Sequence, residues 1–219
     1  ELFKRAINQA TDIGFRRVFL TPMLGDAFMD KTLDKKLDFL ENHKLINEYG
    51  LYTNFILADV DLVNRLKKLR ELSISVYGVN LEDFKLVTKK EKNQYEKFIN
   101  NLESLKESHK KDQIKYKLHF SIRTRVNDEI LKLNSNDRVN YILNNRKGEA
   151  IDYLRYFKDY TKITLATVTD TWLGVVNQAD VDVLGYKVSP AGPMKGPCNL
   201  IFGSIQIRYN GTVHACTRS

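Results

Sequence analysis

Cysteine is nearly absent from this chain. Two occur in 219 residues, Cys198 and Cys216, and so few thiols exclude a disulfide-dense secreted scaffold. In the reducing, cytoplasmic setting this implies, paired cysteines are metal ligands or bystanders more often than a bridge. Proline is scarce too, and three of its four residues, Pro190, Pro193 and Pro197, share one short stretch. No run approaches the roughly 18 apolar residues that cross a bilayer, and no signal peptide precedes the first amphipathic pattern. The chain opens at Glu1 without methionine and stops at Ser219 just after a cysteine, so both ends read as cut. Acidic charge is in deficit: Lys and Arg total 35 against 27 Asp and Glu, a net charge of +8. Zinc-finger, RNP-like and helix-turn-helix signatures are missing. The basic clusters Arg16-Arg17, Lys35-Lys36, Lys67-Lys68, Lys89-Lys90 and Lys110-Lys111 therefore read as solvated surface. A face for nucleic acid is the alternative.

What is present is ordinary globular composition, 42% hydrophobic and 28% charged, laid out as alternating helix and strand patterns. Leu2, Phe3, Ala6, Ile7, Ala10 and Ile13 recur at helical spacing and Gly14 ends them. A β-rich run follows at 17–21. Leu33, Leu37, Leu40 and Ile46 predict a second helix that ends at Gly50, before a strand at 51–54. Leu62, Val63, Leu66 and Leu69 predict a third, before a strand at 73–77. Tyr95, Phe98, Ile99, Leu102 and Leu105 predict a fourth. Tyr116, Leu118, Phe120 and Ile122 then alternate with Lys117, His119, Ser121 and Arg123, the period of a strand. A polar insert around 134–145, a helix at 149–160 and a strand at 163–168 complete the series. Strands separated by such helices give a parallel sheet with right-handed crossovers. Five are too few for a closed barrel, so the fold class is α/β, an open sheet or partial barrel. Because α/β folds usually open on a strand, one strand is expected upstream.

Residues 1–170 form this unit. Residues 171–197, rich in glycine and proline, read as a connector. Residues 198–219 start a separate small element, because Asn210-Gly211 between two β-rich runs signals a hairpin. Ligands of parallel α/β sheets sit beyond the carboxyl ends of the strands. Those ends here read Thr21 to Asp26, Thr53-Asn54, Ser75 to Gly78, Arg123-Thr124, and Thr167 with Thr169 and Asp170. All are polar, which suits a mouth for a polar cofactor; strand ends are also polar simply because they meet water.

These residues carry a resemblance to the radical SAM superfamily. Gly25-Asp26, followed by Phe28-Met29-Asp30, stands where that family has a Gly-Glu loop, with Leu24 and Ala27 in place of its flanking glycine and proline. Thr53-Asn54 resembles its third strand and Ile74 to Gly78 its fourth. The resemblance implies a partial (β/α)6 TIM-like barrel missing its first strand. It implies that Gly25 and Asp26 receive the amino group of S-adenosylmethionine, Ser75 and Asn54 the ribose or nearby groups, and Arg123 the carboxylate, whose shape a guanidinium matches. For Asp26 a helix N-cap is the competing role; for Ser75 and Asn54 it is a strand-end hydrogen bond. Cys198, twelve residues, Gly211, four residues and Cys216 resemble the opening of a SPASM or twitch domain. That implies an auxiliary iron–sulfur cluster on the two cysteines. Structural cysteines, or a zinc site with His214 as a further candidate, stay open, although His214 is expected to face solvent. Asp170 to Gly174 resembles the family's Trp-Gly segment, or holds Trp172 as a buried anchor. The cysteines of the catalytic [4Fe-4S] cluster, CxxxCxxC, are expected upstream of Glu1.

The implied activity is reductive cleavage of S-adenosylmethionine and hydrogen abstraction from a peptide or small metabolite. The implied partner is an electron donor such as a flavodoxin or ferredoxin, with neither membrane nor nucleic acid. The alternatives are a non-enzymatic basic α/β protein binding nucleic acid or anions, and a metal-independent barrel enzyme.

Overall fold

A computed structural model describes residues 1–21, 25–170, 177–189, 204–208 and 210–214. The side chains of Asp170 and Ser189 are outside that description, as are Cys198, Cys216, Trp172 and the proline cluster. The architecture is mixed α/β. Five strands, β1 (Arg17–Leu20), β2 (Glu48–Thr53), β3 (Leu69–Tyr77), β4 (Lys117–Arg123) and β5 (Lys162–Leu165), form one sheet in chain order. Every neighbouring pair is parallel. Ahead of β1 lies α1 (Leu2–Asp12), and between the strands run α2 (Leu33–Asn42), α3 (Val60–Asn64), α4 (Leu81–Thr88), α5 (Lys92–Lys110), α6 (Asp128–Lys132), α7 (Ser135–Asn145) and α8 (Glu149–Phe157). All five expected strands are in this sheet. Strand order without reversal, with right-handed crossovers, puts the crossover helices on one face.

Alternation divides the two faces. Leu51, Leu72, Ile74, Val76, Leu118, Phe120 and Ile122 are buried and meet the helices, with Phe120 stacked 5.4 Å from Phe157. The other face carries polar and aromatic residues and is only partly covered.

Several boundaries differ from the sequence expectation. The second helix stops at Asn42, and Gly50 lies inside β2 rather than at a helix end. Its missing side chain makes room for a neighbour: a Cβ there would sit 2.7 Å from the Phe19 ring of β1, its cross-strand partner. The third helix stops at Asn64, and Leu69 instead begins a longer β3. The polar stretch 134–145 is α7, with Ile142 and Leu143 buried. Its first asparagine is a cap rather than a loop residue: the Asn134 side chain accepts the Asp137 N–H. Asn80 and Asn127 cap α4 and α6 in the same way.

After β5 the chain turns into β6 (Val168–Asp170), which pairs in parallel with β7 (Lys187–Ser189). Between them lie α9 (Gln178–Val181), capped by Asn177, and a 3-10 turn at Asp182–Leu184. Part of the stretch expected as connector is therefore folded. The hairpin signal is realised by β8 (Gln206–Ile207) and β9 (Val213–His214), which are antiparallel. Gly211 of the turn takes a positive φ, +84°. The Gly211 N–H donates to the Arg208 carbonyl at 2.9 Å and the Arg208 N–H to Thr212 at 3.0 Å, closing a turn one residue longer.

Candidate functional site

The open face of the sheet is built from three cross-strand rows. Tyr52 of β2 pairs with Ser73 of β3, Ser73 with His119 of β4 and His119 with Lys162 of β5. In the next row Ser75 pairs with Ser121 and Ser121 with Thr164. At the carboxyl-terminal rim Tyr77 pairs with Arg123. Hydrogen bonds cross the strands: Ser73 Oγ is 3.1 Å from His119 Nδ1, and His119 Nε2 is 2.9 Å from Thr164 Oγ1. Burial, together with nearby Lys162, holds the His119 pKa below its usual value, against a smaller opposing effect of Glu71. Set between two hydroxyls, a neutral imidazole there can donate through one nitrogen and accept through the other.

The residues expected to bind a ligand divide between this face and its edge. Ser75 lies on it, half-buried. Arg123 is exposed, its guanidinium 5.6 Å from the centre of the Tyr77 ring. Asn54 follows Thr53, the register partner of Ile74, and so falls in the row of Ser75. Its side-chain oxygen accepts the Ile56 N–H at 3.0 Å. Gly25 is exposed with φ +81°.

Asp26 is different. It is 6% exposed, and both carboxylate oxygens are engaged. Thr53 Oγ1 donates at 2.9–3.0 Å, the Asn54 N–H at 2.5 Å and the Phe28 N–H at 3.0 Å. The last bond caps a 3-10 turn at Ala27–Met29. Asp26 thus ties the loop after β1 to the end of β2. The chain just beyond is constrained as well: Phe55, buried, has φ +63°, a conformation a bulky side chain resists. The Asn101 amide holds it by donating to the Phe55 carbonyl at 2.9 Å. Such backbone outliers gather at functional sites.

Sequence reasoning passed over Ser73, Thr164 and Tyr186 and gave Tyr77 no role of its own. The alternation of β4 already put His119 and Ser121 on the face of Arg123, and register extends that face to Ser73 and Thr164. Nothing in the pattern at 177–189 announced Tyr186, buried on a segment held against the exit of β4, where a Cβ on Gly185 would stand 2.0 Å from the Val126 carbonyl oxygen.

Cys198 and Cys216, the expected cluster ligands, lie outside the described residues. Among the described residues no group of three or more His, Cys, Asp or Glu side chains is arranged to hold a metal ion, and no helix is long and apolar enough to cross a membrane. His214 is half-buried, its Nε2 3.3 Å from Thr212 Oγ1. Many of the basic groups are paired on the surface, among them Arg17 and Arg70 with Glu48, Lys92 with Glu96, and Lys115 with Asp112. Two cavities lie away from the rim. One of about 480 Å³ sits at the amino-terminal ends of β2 to β4, between Glu48, Lys67, Arg70 and Lys117. The other, about 470 Å³, separates α1 from the hairpin.

No family model and no curated protein matches the chain. Among solved structures it is similar to "Structure of TYW1 with a lysine-pyruvate adduct bound", at 15% identity and a TM-score of 0.39, over 73% of this chain and 58% of that one. The chain therefore spans less than two thirds of that structure.

Proposed function

We propose that this chain belongs to a radical SAM enzyme and that its sheet is part of a (β/α)6 barrel holding S-adenosylmethionine at the carboxyl-terminal rim. The observation that carries the reading is the open polar face. Parallel sheets are normally covered on both sides by apolar contacts, whereas this one turns Tyr52, Ser73, Ser75, His119, Ser121, Arg123 and Thr164 away from its helices. Strand order without reversal is that of a barrel, and such a face is then its interior.

In this reading Arg123 grips the ligand carboxylate, and Ser75 and Asn54 face the ribose. Gly25 supplies the exposed turn beside them. The resemblance gave Asp26 to the ammonium, but its oxygens are buried and committed. Asp26 acts instead through Asn54, fixing the backbone on which that side chain stands. When bound beside a reduced iron–sulfur cluster, S-adenosylmethionine supplies a 5′-deoxyadenosyl radical for hydrogen abstraction. The sequence has two cysteines, so the catalytic cluster's three would come from outside these 219 residues. Cys198 and Cys216 would hold an auxiliary cluster, and a flavodoxin or ferredoxin would supply the electron.

One anaerobic preparation, reconstituted with iron and sulfide, tests this through two readouts. The protein should bind S-adenosylmethionine saturably, and Arg123→Ala should weaken that binding roughly tenfold or more, the effect of losing a charge-assisted contact. Iron content should fall in both Cys198→Ala and Cys216→Ala. Absence of saturable binding by the wild type sinks the reading, and unchanged iron in both cysteine variants removes the auxiliary cluster.

A further inference from the structure

The amino-terminal end of the sheet, opposite the proposed rim, gathers positive charge around one hollow. The cavity of about 480 Å³ there is lined by five cationic side chains, Lys67, Lys68, Arg70, Lys115 and Lys117, against one carboxylate, Glu48. That surplus of four is half of the net charge of +8 carried by all 219 residues. Lysines often stand at this end of an α/β sheet because helices finish there and their last carbonyls attract cations. Of the five, Lys68 does this: its Nζ donates to the His43 carbonyl at 2.7 Å and to the Leu40 carbonyl at 3.3 Å, at the end of α2. The others need a different reason.

The neighbouring acids leave this charge largely uncancelled. Glu48 is bracketed by two guanidiniums, with Arg17 Nε at 2.7 Å and Arg70 Nη1 at 3.0 Å, so the trio stays cationic. Lys115 reaches Asp112 at 2.6 Å, but both side chains are exposed, and an exposed pair holds its members weakly. Lys67 and Lys117 are exposed. Glu71 is the cross-strand partner of Lys117, yet neither lysine makes an ion pair among the described residues. The floor beneath them is fixed. Glu41 of α2 accepts the N–H groups of Lys67 at 3.1 Å and Lys68 at 2.9 Å and the Tyr49 hydroxyl at 2.7 Å. The turn into β3 is thereby fastened to α2 and β2, and its cations stand on a set backbone. Charge of one sign on a concave surface raises the local concentration of the opposite sign.

We propose that this cavity is a binding site for linked phosphates, whether of a free oligophosphate group or of a nucleic-acid backbone. Three features choose that chemistry. The cations sit on two adjacent strands, about 4.8 Å apart, and on the turns that lead into them. One isolated anion meets part of that set, whereas a run of anions meets it all. Four of the five are lysines, point charges that suit phosphate, while a carboxylate is better matched by the planar fork of arginine. The one arginine among them is already engaged by Glu48. Finally, no ring is offered to a base: Tyr116, the aromatic residue of the lining, is 8% exposed and its hydroxyl donates to Asn64 at 2.9 Å. Contact is therefore through phosphates, without regard to base identity. The site shares no residue with the rim proposed for S-adenosylmethionine, so the two stand or fall separately.

The probe is inorganic tripolyphosphate, titrated calorimetrically into the protein at fixed ionic strength, with orthophosphate as the single-phosphate control. The wild type should bind tripolyphosphate saturably and roughly tenfold or more tightly than orthophosphate. The double variant Lys67→Ala/Lys117→Ala removes two exposed side chains. It should weaken tripolyphosphate roughly tenfold or more, with the melting temperature of the free protein unchanged. Lys35→Ala/Lys97→Ala lowers the net charge equally, at exposed positions of α2 and α5, and should bind as the wild type does. Absence of saturable binding, equal losses in both double variants, or equally tight binding of a tetraglutamate peptide overturns the site. Competition then names the source. Displacement of tripolyphosphate by a short oligothymidylate retains the site for a nucleic-acid backbone, and failure to displace it retains the site for a free oligophosphate.

Discussion

The two faces of the five-stranded sheet are made by alternate residues of the same strands, yet they do opposite things. On one, Leu51, Leu72, Ile74, Phe120 and Ile122 are fully buried and hold the helices. On the other, one residue away in each case, Tyr52, Ser73, Ser75, His119 and Ser121 make a hydroxyl-rich surface laced by the Ser73–His119–Thr164 bonds. Because strand side chains alternate strictly, a slip of one residue would exchange the faces entirely. The Phe19–Gly50 fit between β1 and β2 and the apolar run of β3 oppose such a slip. Stability and the proposed ligand chemistry thus draw on one stretch of sequence without sharing side chains.

The sharpest way to break this comparison is to truncate neighbours. Phe120→Ala should lower the free energy of unfolding by about 3–5 kcal/mol, whereas Ser121→Ala should stay within about 0.5 kcal/mol, both by urea denaturation. Equal costs would mean that the open face is structural after all. Asp26, at the junction of the two faces, comes next. Asp26→Asn deprives the Thr53 hydroxyl and the Asn54 and Phe28 amides of a charged acceptor and should cost about 1–3 kcal/mol, read as a lower melting temperature. A neutral outcome would free the carboxylate for a ligand role. The smallest effect concerns pH. Folding holds the His119 pKa below 6.5, so as pH falls the unfolded chain takes up that proton first. The contribution of neutral His119 is complete above about pH 6.5 and declines below it. Subtracting the pH–stability curve of His119→Asn from that of the wild type should leave this decline; identical slopes would mean that the ring titrates as it does in water.

The sheet was legible because its signal is two-valued. Alternation in β4 and the β-branched and aromatic runs elsewhere located all five strands, and strand ends located Ser75, Asn54 and Arg123. Asparagine and glycine misled because each serves two purposes. Asn134 was read within a polar insert but caps a helix, and Gly50 was read as a helix end but relieves a cross-strand contact. Asp26 carried both its roles in the sequence, and only the bonds from Thr53 and Asn54, 27 and 28 positions away, separate them. Tyr186 could not be read at all, since its segment is tied to the chain just past β4, where the Val126 N–H, 58 positions before Leu184, donates to the Leu184 carbonyl.

The crowding at Gly185 makes an evolutionary statement as well as a mechanical one. Any side chain at that position has to move the chain off Val126, and the tyrosine beside it leaves with it. Positions 185 and 186 should therefore be inherited as a pair: lineages that give up the glycine lose the place that buries the tyrosine ring.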